Sequence, residues 1–243
     1  MATNIDYDTI ASNLNKVGLV ARGGFQVDES DDVPAMASGS VVETLVLVGN
    51  IGDSFWPSFS AAHPEKSTDN ESHPTLLDDW SRRILAEIAA NLGGPATCMP
   101  LFPFEGPPFH PFIRWAKKAE AVFPSPIGPL IHSDHGLWHA YRGALAFAHL
   151  VPIPEREERQ SPCETCEEKP CLMGCPTGAH AQGTFDLSLC MSHILVDAGA
   201  PCMTNGCLAR SACPVGSGAR YAPDQAQFHM VAFRRTNHSM INS

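Results

Sequence analysis

The sequence predicts a mixed α/β (α+β) protein whose chemistry is collected in a small C-terminal module. Two observations carry this expectation. Up to about residue 155, apolar positions follow helical and strand spacings in turn. After that, cysteines crowd the chain, with eight of the nine falling between Cys163 and Cys213. A charged stretch bounded by proline, PEREERQSP, separates the two compositions, so domains are expected at 1–155 and 156–243, with the boundary at 154–161. At 243 residues, with 44% apolar and 17% charged side chains, the chain has material for a main core and an appendage.

From Tyr7, Ile10, Leu14 and Val17 recur at helical spacing and meet Gly18, a natural stop. GLVARGGFQV follows as a strand or turn, and SVVETLVLVGNIG, rich in β-branched residues, reads as a buried strand. SAAHPEKSTDNESHP (60–74) is polar and punctuated by proline, hence a surface loop. Thr75 and Asp78 make a capping box. Leu77, Trp80, Ile84, Leu85, Ile88 and Leu92 then line one face of a helix that Gly93 and Gly94 terminate. MPLFPFEGPPFHP carries too many prolines for a regular central element. PFIRWAKKAEAVF predicts a short helix, and GALAFAHLVPI a strand emerging from the turn HGLWHAYR. LSLCMSHILVD predicts a helix carrying Cys190, and PDQAQFHMVAFRR a closing amphipathic helix.

The formal charge of −10 argues against a nucleic-acid partner held by phosphate neutralisation, which needs clustered Lys and Arg. No run approaches the ~18 apolar residues of a membrane span. MATNIDYDTIASNLNK has acidic residues where a secretory signal has a basic patch and an apolar run, so a cytoplasmic location is expected. In that compartment nine cysteines are not expected to form structural disulfides, and their clustering points to metal.

The intervals are C-x2-C-x4-C-x3-C-P for Cys163, Cys166, Cys171 and Cys175, followed by Cys190, Cys202, Cys207 and Cys213-Pro214. Bacterial ferredoxins use C-x2-C-x2-C-x3-C-P, in which the fourth cysteine ligates the other of two clusters. The middle gap here is longer and contains Lys169 and Pro170, but the Cys-Pro ending is intact and recurs at Cys213. Crossed sharing then predicts one 4Fe-4S cluster on Cys163, Cys166, Cys171 and Cys213, and a second on Cys175, Cys190, Cys202 and Cys207. The alternative is zinc: Cys163, Cys166, Cys202 and Cys207 can make one four-thiolate site, which leaves four cysteines and two Cys-Pro endings unexplained. A catalytic thiol needs one activated sulfur, not eight clustered ones. Cys98 stands outside the array and reads as a small buried residue.

Taken with these cysteines, HSDHGLWHAYRGALAFAHLVPIP carries a family resemblance. The cysteine half resembles the double-cluster region of epoxyqueuosine reductases and corrinoid reductive dehalogenases, including the long gap from Cys175 to Cys190. The preceding segment resembles the HxxGxWxxxRG stretch of cobalamin-processing, decyanating proteins, on His135, Gly136, Trp138, Arg142 and Gly143, with His132 one residue out of register. The resemblance implies a flavin-reductase-like domain that binds a corrinoid or flavin, joined to a ferredoxin-like module that feeds it electrons. It also implies cofactor-binding roles for His132, His135, Gly136, Trp138, Arg142 and Gly143. The chain departs from the reductases where PSPIGPLIHSDHG replaces their Asp-Ser-Ala-Pro segment.

Each of these residues also has a plainer role. His135 can face a corrinoid or bond to backbone in a tight turn, and Gly136 can admit a planar ligand. Trp138 and Tyr141 can line a pocket or fill a core, and Arg142 can clamp a phosphate or form an ion pair. Asp134 reads as a turn residue, while His180 and His193 are placed to hydrogen-bond cluster sulfurs. Three functions remain open. The first is an oxidoreductase passing electrons from two 4Fe-4S clusters to cobalamin or flavin; the second, a ferredoxin-like carrier with a docking domain; the third, a zinc-bound interaction module. For the redox readings the partner is a redox protein or a small-molecule electron donor.

Overall fold

A computed structural model describes residues 5–64, 73–180 and 184–238. Of the expected loop at 60–74, residues 65–72 lie outside that range. In chain order the first elements are α1 (Tyr7–Asn15), β1 (Val20–Gln26), β2 (Thr44–Ile51), α2 (Trp56–Ala62), α3 (Leu76–Asn91), β3 (Cys98–Leu101) and α4 (Phe112–Ala119). Then come β4 (Val122–Pro124), β5 (Leu130–His132), β6 (His139–Phe147), α5 (Pro170–Met173), α6 (Leu187–Ile194), α7 (Ala200–Asn205), α8 (Leu208–Ser211) and α9 (Pro223–His238).

The chain forms two compact units. One takes the described chain up to Ser58, Thr75–Ala121 and Ala140–Glu158; the other takes the described part of Phe59–Pro74, Val122–His139 and the described chain from Arg159 on. The crossing from Glu158 to Arg159 falls three residues beyond the single cut expected after residue 155. The earlier crossings, which carry 59–74 and 122–139 into the second unit, leave no mark in composition.

The first unit is built on a four-stranded sheet of order β1-β2-β6-β3. β1 pairs antiparallel with β2, and β3 with β6. At one end Glu43 N donates to Phe147 O, and at the other Gly49 abuts the Ala140 carbonyl, so β2 and β6 also run antiparallel. The unit is therefore α+β in the strict sense. Its core centres on Trp115, Phe55, Phe147, Leu45, Leu47 and Leu85. Gly143 fits because a Cβ there would stand 2.6 Å from the Leu85 side chain, so glycine lets α3 lie close on β6. In β1 the partners step from Ala21↔Val48 to Gly24↔Val46, which is one extra residue and hence a bulge. Beside it Arg22, buried at 2% exposure, forms an ion pair with Glu120 at 2.8 Å and donates to Asn50 O at 3.1 Å.

Four expectations change in this unit. Thr75 makes no capping bond; its hydroxyl donates instead to the Asp79 carboxylate at 2.7 Å, so the box with Asp78 does not form. The proline-rich segment from Cys98 contains the strand β3 despite Pro100, which is tolerated because β3 lies at a sheet edge. β6 begins at His139, inside the expected turn HGLWHAYR. α2 takes in Ser60–Ala62, the start of the loop expected at 60–74; its seven residues are too few to show a period.

The second unit has the short antiparallel hairpin β4–β5 and the helices α5 to α9. Two apolar clusters hold it. Ile127, Ile131 and Leu137 surround Cys171 and Cys213, while Met191 and Ile194 pack with Cys202.

Candidate metal centre

All eight clustered cysteines belong to the second unit, and all are free thiols. Their neighbours do not follow chain order. Burial pushes Cys163 up from its ordinary titration range, and Cys213, Cys171 and Cys166 push it further. Cys171 is raised by burial and then by Cys213 and Cys166. Burial together with Cys207, Cys175 and Cys202 carries Cys190 to about 11. Cys202 is raised by burial, opposed by the Leu208 N–H, and raised again by Cys207 and Cys175. Cys171 and Cys175, four positions apart, thus face different groups of sulfurs.

Local structure explains the divergence. Lys169 is left-handed, with φ +41°, and turns the chain into the single turn of α5, which points Cys171 inward. Gly174 then ends the turn, and Cys175 leaves it toward α6 and α7. Cys213 follows α8, whose last turn is closed by Cys213 N donating to Arg210 O. Cys175 and Cys207 also touch the apolar cluster around Cys171 and Cys213, so the two groups are neighbours.

Cys163 and Cys171 in one group, and Cys190 and Cys202 in the other, are raised by burial and by neighbouring sulfurs, and so resist becoming thiolates. A bound cation or metal cluster relieves that resistance by supplying positive charge. The donor chemistry therefore suits soft-metal ligation. Among the described residues, no three His, Cys, Asp or Glu side chains converge on a single-ion position as they stand.

Cys175, Cys190, Cys202 and Cys207 open on one cavity of about 400 Å³, whose wall also includes His180 and His193. His180 is buried, stacks on Phe185 at 4.9 Å, and is held below its ordinary titration point by burial. Cys175 differs from its neighbours. Burial would raise it, but the Thr177 hydroxyl and the N–H groups of Thr177, Ala179 and Gly178 outweigh burial and draw it below the ordinary thiol value. Thr177 Oγ1 lies 3.4 Å from Cys175 Sγ.

The segment singled out before the cysteine module is divided between the units. His132, His135, Gly136 and Trp138 belong to the second unit, Arg142 and Gly143 to the first. His132 and His135 stack at 4.5 Å, and His132 Nδ1 accepts from the N–H of exposed Asp134 at 3.0 Å. Gly136, at φ +58°, does permit a close approach, but what approaches is the chain itself: a Cβ there would stand 1.9 Å from Val215 O. Trp138 is buried, and its ring lies 4.6 Å from the Arg210 guanidinium, which also lies 4.4 Å over Tyr221. Arg210 Nε donates to Leu137 O at 3.0 Å. The Trp138 indole N–H is buried without an acceptor among the described residues. Arg210 and Thr177 carried no motif that would have marked them beforehand.

In the first unit, Arg142 acts on Asp78, where burial raises the carboxyl and Arg142 opposes it. Tyr141 donates to Glu120 and is pushed up by burial and by that carboxylate. Cys98 is buried in β3 and pushed to about 12 by burial alone, an inert thiol.

No protein-family model matches the chain, and no curated protein matches it.

Proposed function

We propose that the protein is an iron–sulfur electron-transfer protein carrying two 4Fe-4S clusters, one on Cys163, Cys166, Cys171 and Cys213 and one on Cys175, Cys190, Cys202 and Cys207. The observation that supports it is the divergence of Cys171 and Cys175 toward separate groups of sulfurs, each closed by a cysteine remote in the chain. A four-iron cluster, when bound, supplies one-electron transfer. The chain's own residues then hold the thiolates, keep bulk water away with Ile127, Ile131 and Leu137, and donate hydrogen bonds to sulfur from Thr177 and Leu208.

The finer reading is a reductase that passes these electrons to a corrinoid or a flavin on a flavin-reductase-like domain. The unpartnered indole N–H of Trp138 favours a bound group near it. The Val215 backbone at Gly136 leaves no room there for a flat ring, so Gly136 does not fit such a cofactor.

Anaerobic purification tests the main reading. About eight irons per chain, with matching sulfide and a brown colour, are expected from two four-iron clusters. Stoichiometric zinc without visible absorption would overturn it in favour of the zinc-bound module. Addition of cob(II)alamin or FMN to the iron-loaded protein tests the finer reading. A shifted spectrum supports the reductase, and no binding leaves a ferredoxin-like carrier.

Among the described residues, no helix is long and apolar enough to cross a membrane.

A further inference from the structure

We propose that the two cysteine sets hold clusters of unequal potential, that the set Cys175, Cys190, Cys202 and Cys207 is the more easily reduced, and that Thr177 is a positioning residue for that inequality. The inference rests on the iron–sulfur reading and deepens it.

Hydrogen bonds reach the sulfurs of the two sets unequally. A donor aimed at a cluster thiolate withdraws charge from it and favours the reduced state. At Cys175 the Thr177 hydroxyl stands 3.4 Å from sulfur, and the N–H groups of Thr177, Gly178 and Ala179 act on the same atom, whereas in the first set Cys163 has the Ser161 hydroxyl and Cys171 has only its own N–H and that of Leu172. Gly178 makes this possible. Its φ of +69° is left-handed, so the chain curls and its N–H groups gather into a concave nest of the kind that holds anions. Gly178 N closes the curl by donating to Cys175 O at 3.1 Å. The Thr177 hydroxyl is the part of this arrangement that substitution can remove without disturbing the backbone.

Charge around the two sets also differs. Arg210 lines the cavity shared by the second set, and its guanidinium is fixed by Leu137 O and by the rings of Trp138 and Tyr221. The loop of the first set carries three carboxylates, Glu164, Glu167 and Glu168, against one cation, Lys169, all exposed. Because Leu137 packs beside Cys171 and Cys213, Arg210 stands near both sets, and the difference in charge is made by the carboxylates, which disfavour an added electron on the first set. An electron placed on the first cluster by a one-electron reductant moves to the second, one site losing and the other gaining one electron, with no bond made or broken.

The test is an anaerobic dithionite titration of the iron-loaded full chain, followed by electron paramagnetic resonance, with iron measured on each sample. Two midpoints are expected. Thr177→Val keeps the branched shape and removes the donor. It should lower the higher midpoint by the equivalent of about a tenfold change in the exchange constant between the sites, about 59 mV for a one-electron couple, and leave the lower one in place. Thr177→Ser should restore it. A single midpoint in the unaltered chain, or a Thr177→Val protein with full iron in which neither midpoint or only the lower one moves, would overturn the inference. A chain that takes up no iron would instead overturn the iron–sulfur reading, and the inference with it.

Discussion

Gly136 meets Val215 backbone to backbone: a methyl group on Gly136 would lie 1.9 Å from the Val215 carbonyl oxygen. The reverse contact is equally tight, because a Cβ on Gly216 would stand 2.2 Å from His135 O. The turn after β5 is thereby keyed to the turn that leaves Cys213-Pro214. Gly136→Ala carries a left-handed penalty of about 1–2 kcal/mol and, in addition, a clash with backbone that cannot rotate away. Gly94→Ala, at φ +73° with open space around it, carries the first cost alone. Urea unfolding of the two variants should show the larger loss for Gly136→Ala. Equal losses would mean that the contact at Val215 relaxes freely.

Arg210 joins the same turn to the aromatic residues. Arg210→Lys loses the planar guanidinium that sits between Trp138 and Tyr221 and the Nε donor to Leu137 O. A loss of about 2 kcal/mol is expected from these terms together. Thermal unfolding measures it, and a shift within error of the unaltered chain would show that lysine replaces the contacts.

The crossed cysteine groups make a prediction about pairs. Cys171→Ser and Cys213→Ser, far apart in sequence, should produce the same spectroscopic lesion. Cys171→Ser and Cys175→Ser, four positions apart, should produce different ones. Each should leave about four irons of the eight that two clusters require. Identical spectra from Cys171→Ser and Cys175→Ser would rule out crossed sharing.

Asp28 offers a pH test remote from the cysteines. The Lys118 ammonium, 2.7 Å away, together with Ser30, holds its carboxyl at about 2 against an ordinary value of 3.8. A carboxylate depressed in the folded state contributes stability that is complete above the ordinary value and is lost as pH falls through the depressed one. The contribution of Asp28 should therefore fade between pH 3.8 and about 2. Lys118→Met should move its titration, followed by carbon NMR of the carboxyl, up toward 3.8. An unmoved titration would assign the depression to Ser30.

Much of the first unit was legible because its elements are long enough to show a period. α3 displays its buried face through Leu77, Trp80, Ile84, Leu85 and Ile88, and β2 is buried along most of its length. What escaped was short or set by neighbours. β3 spans four residues and tolerates Pro100 only because of its place in the sheet order, which no local pattern encodes. The cysteine grouping was suggested by spacing, since a Cys-Pro ending has a steric meaning within a few residues. The environment of the site was not. Glycine at 136 states that something comes close, never what, and Arg210 and Thr177 acquire their roles from residues that fold toward them.

The edges of the first sheet have a consequence for association. β1, at one margin, is broken by its bulge beside Arg22, and β3, at the other, lacks the N–H of Pro100. Neither margin presents an unbroken row of donors and acceptors, which is what a strand from a second molecule needs in order to add on. The sheet is thereby protected against edge-to-edge growth. A partner that docks on this unit must recognise side chains, not extend the ladder.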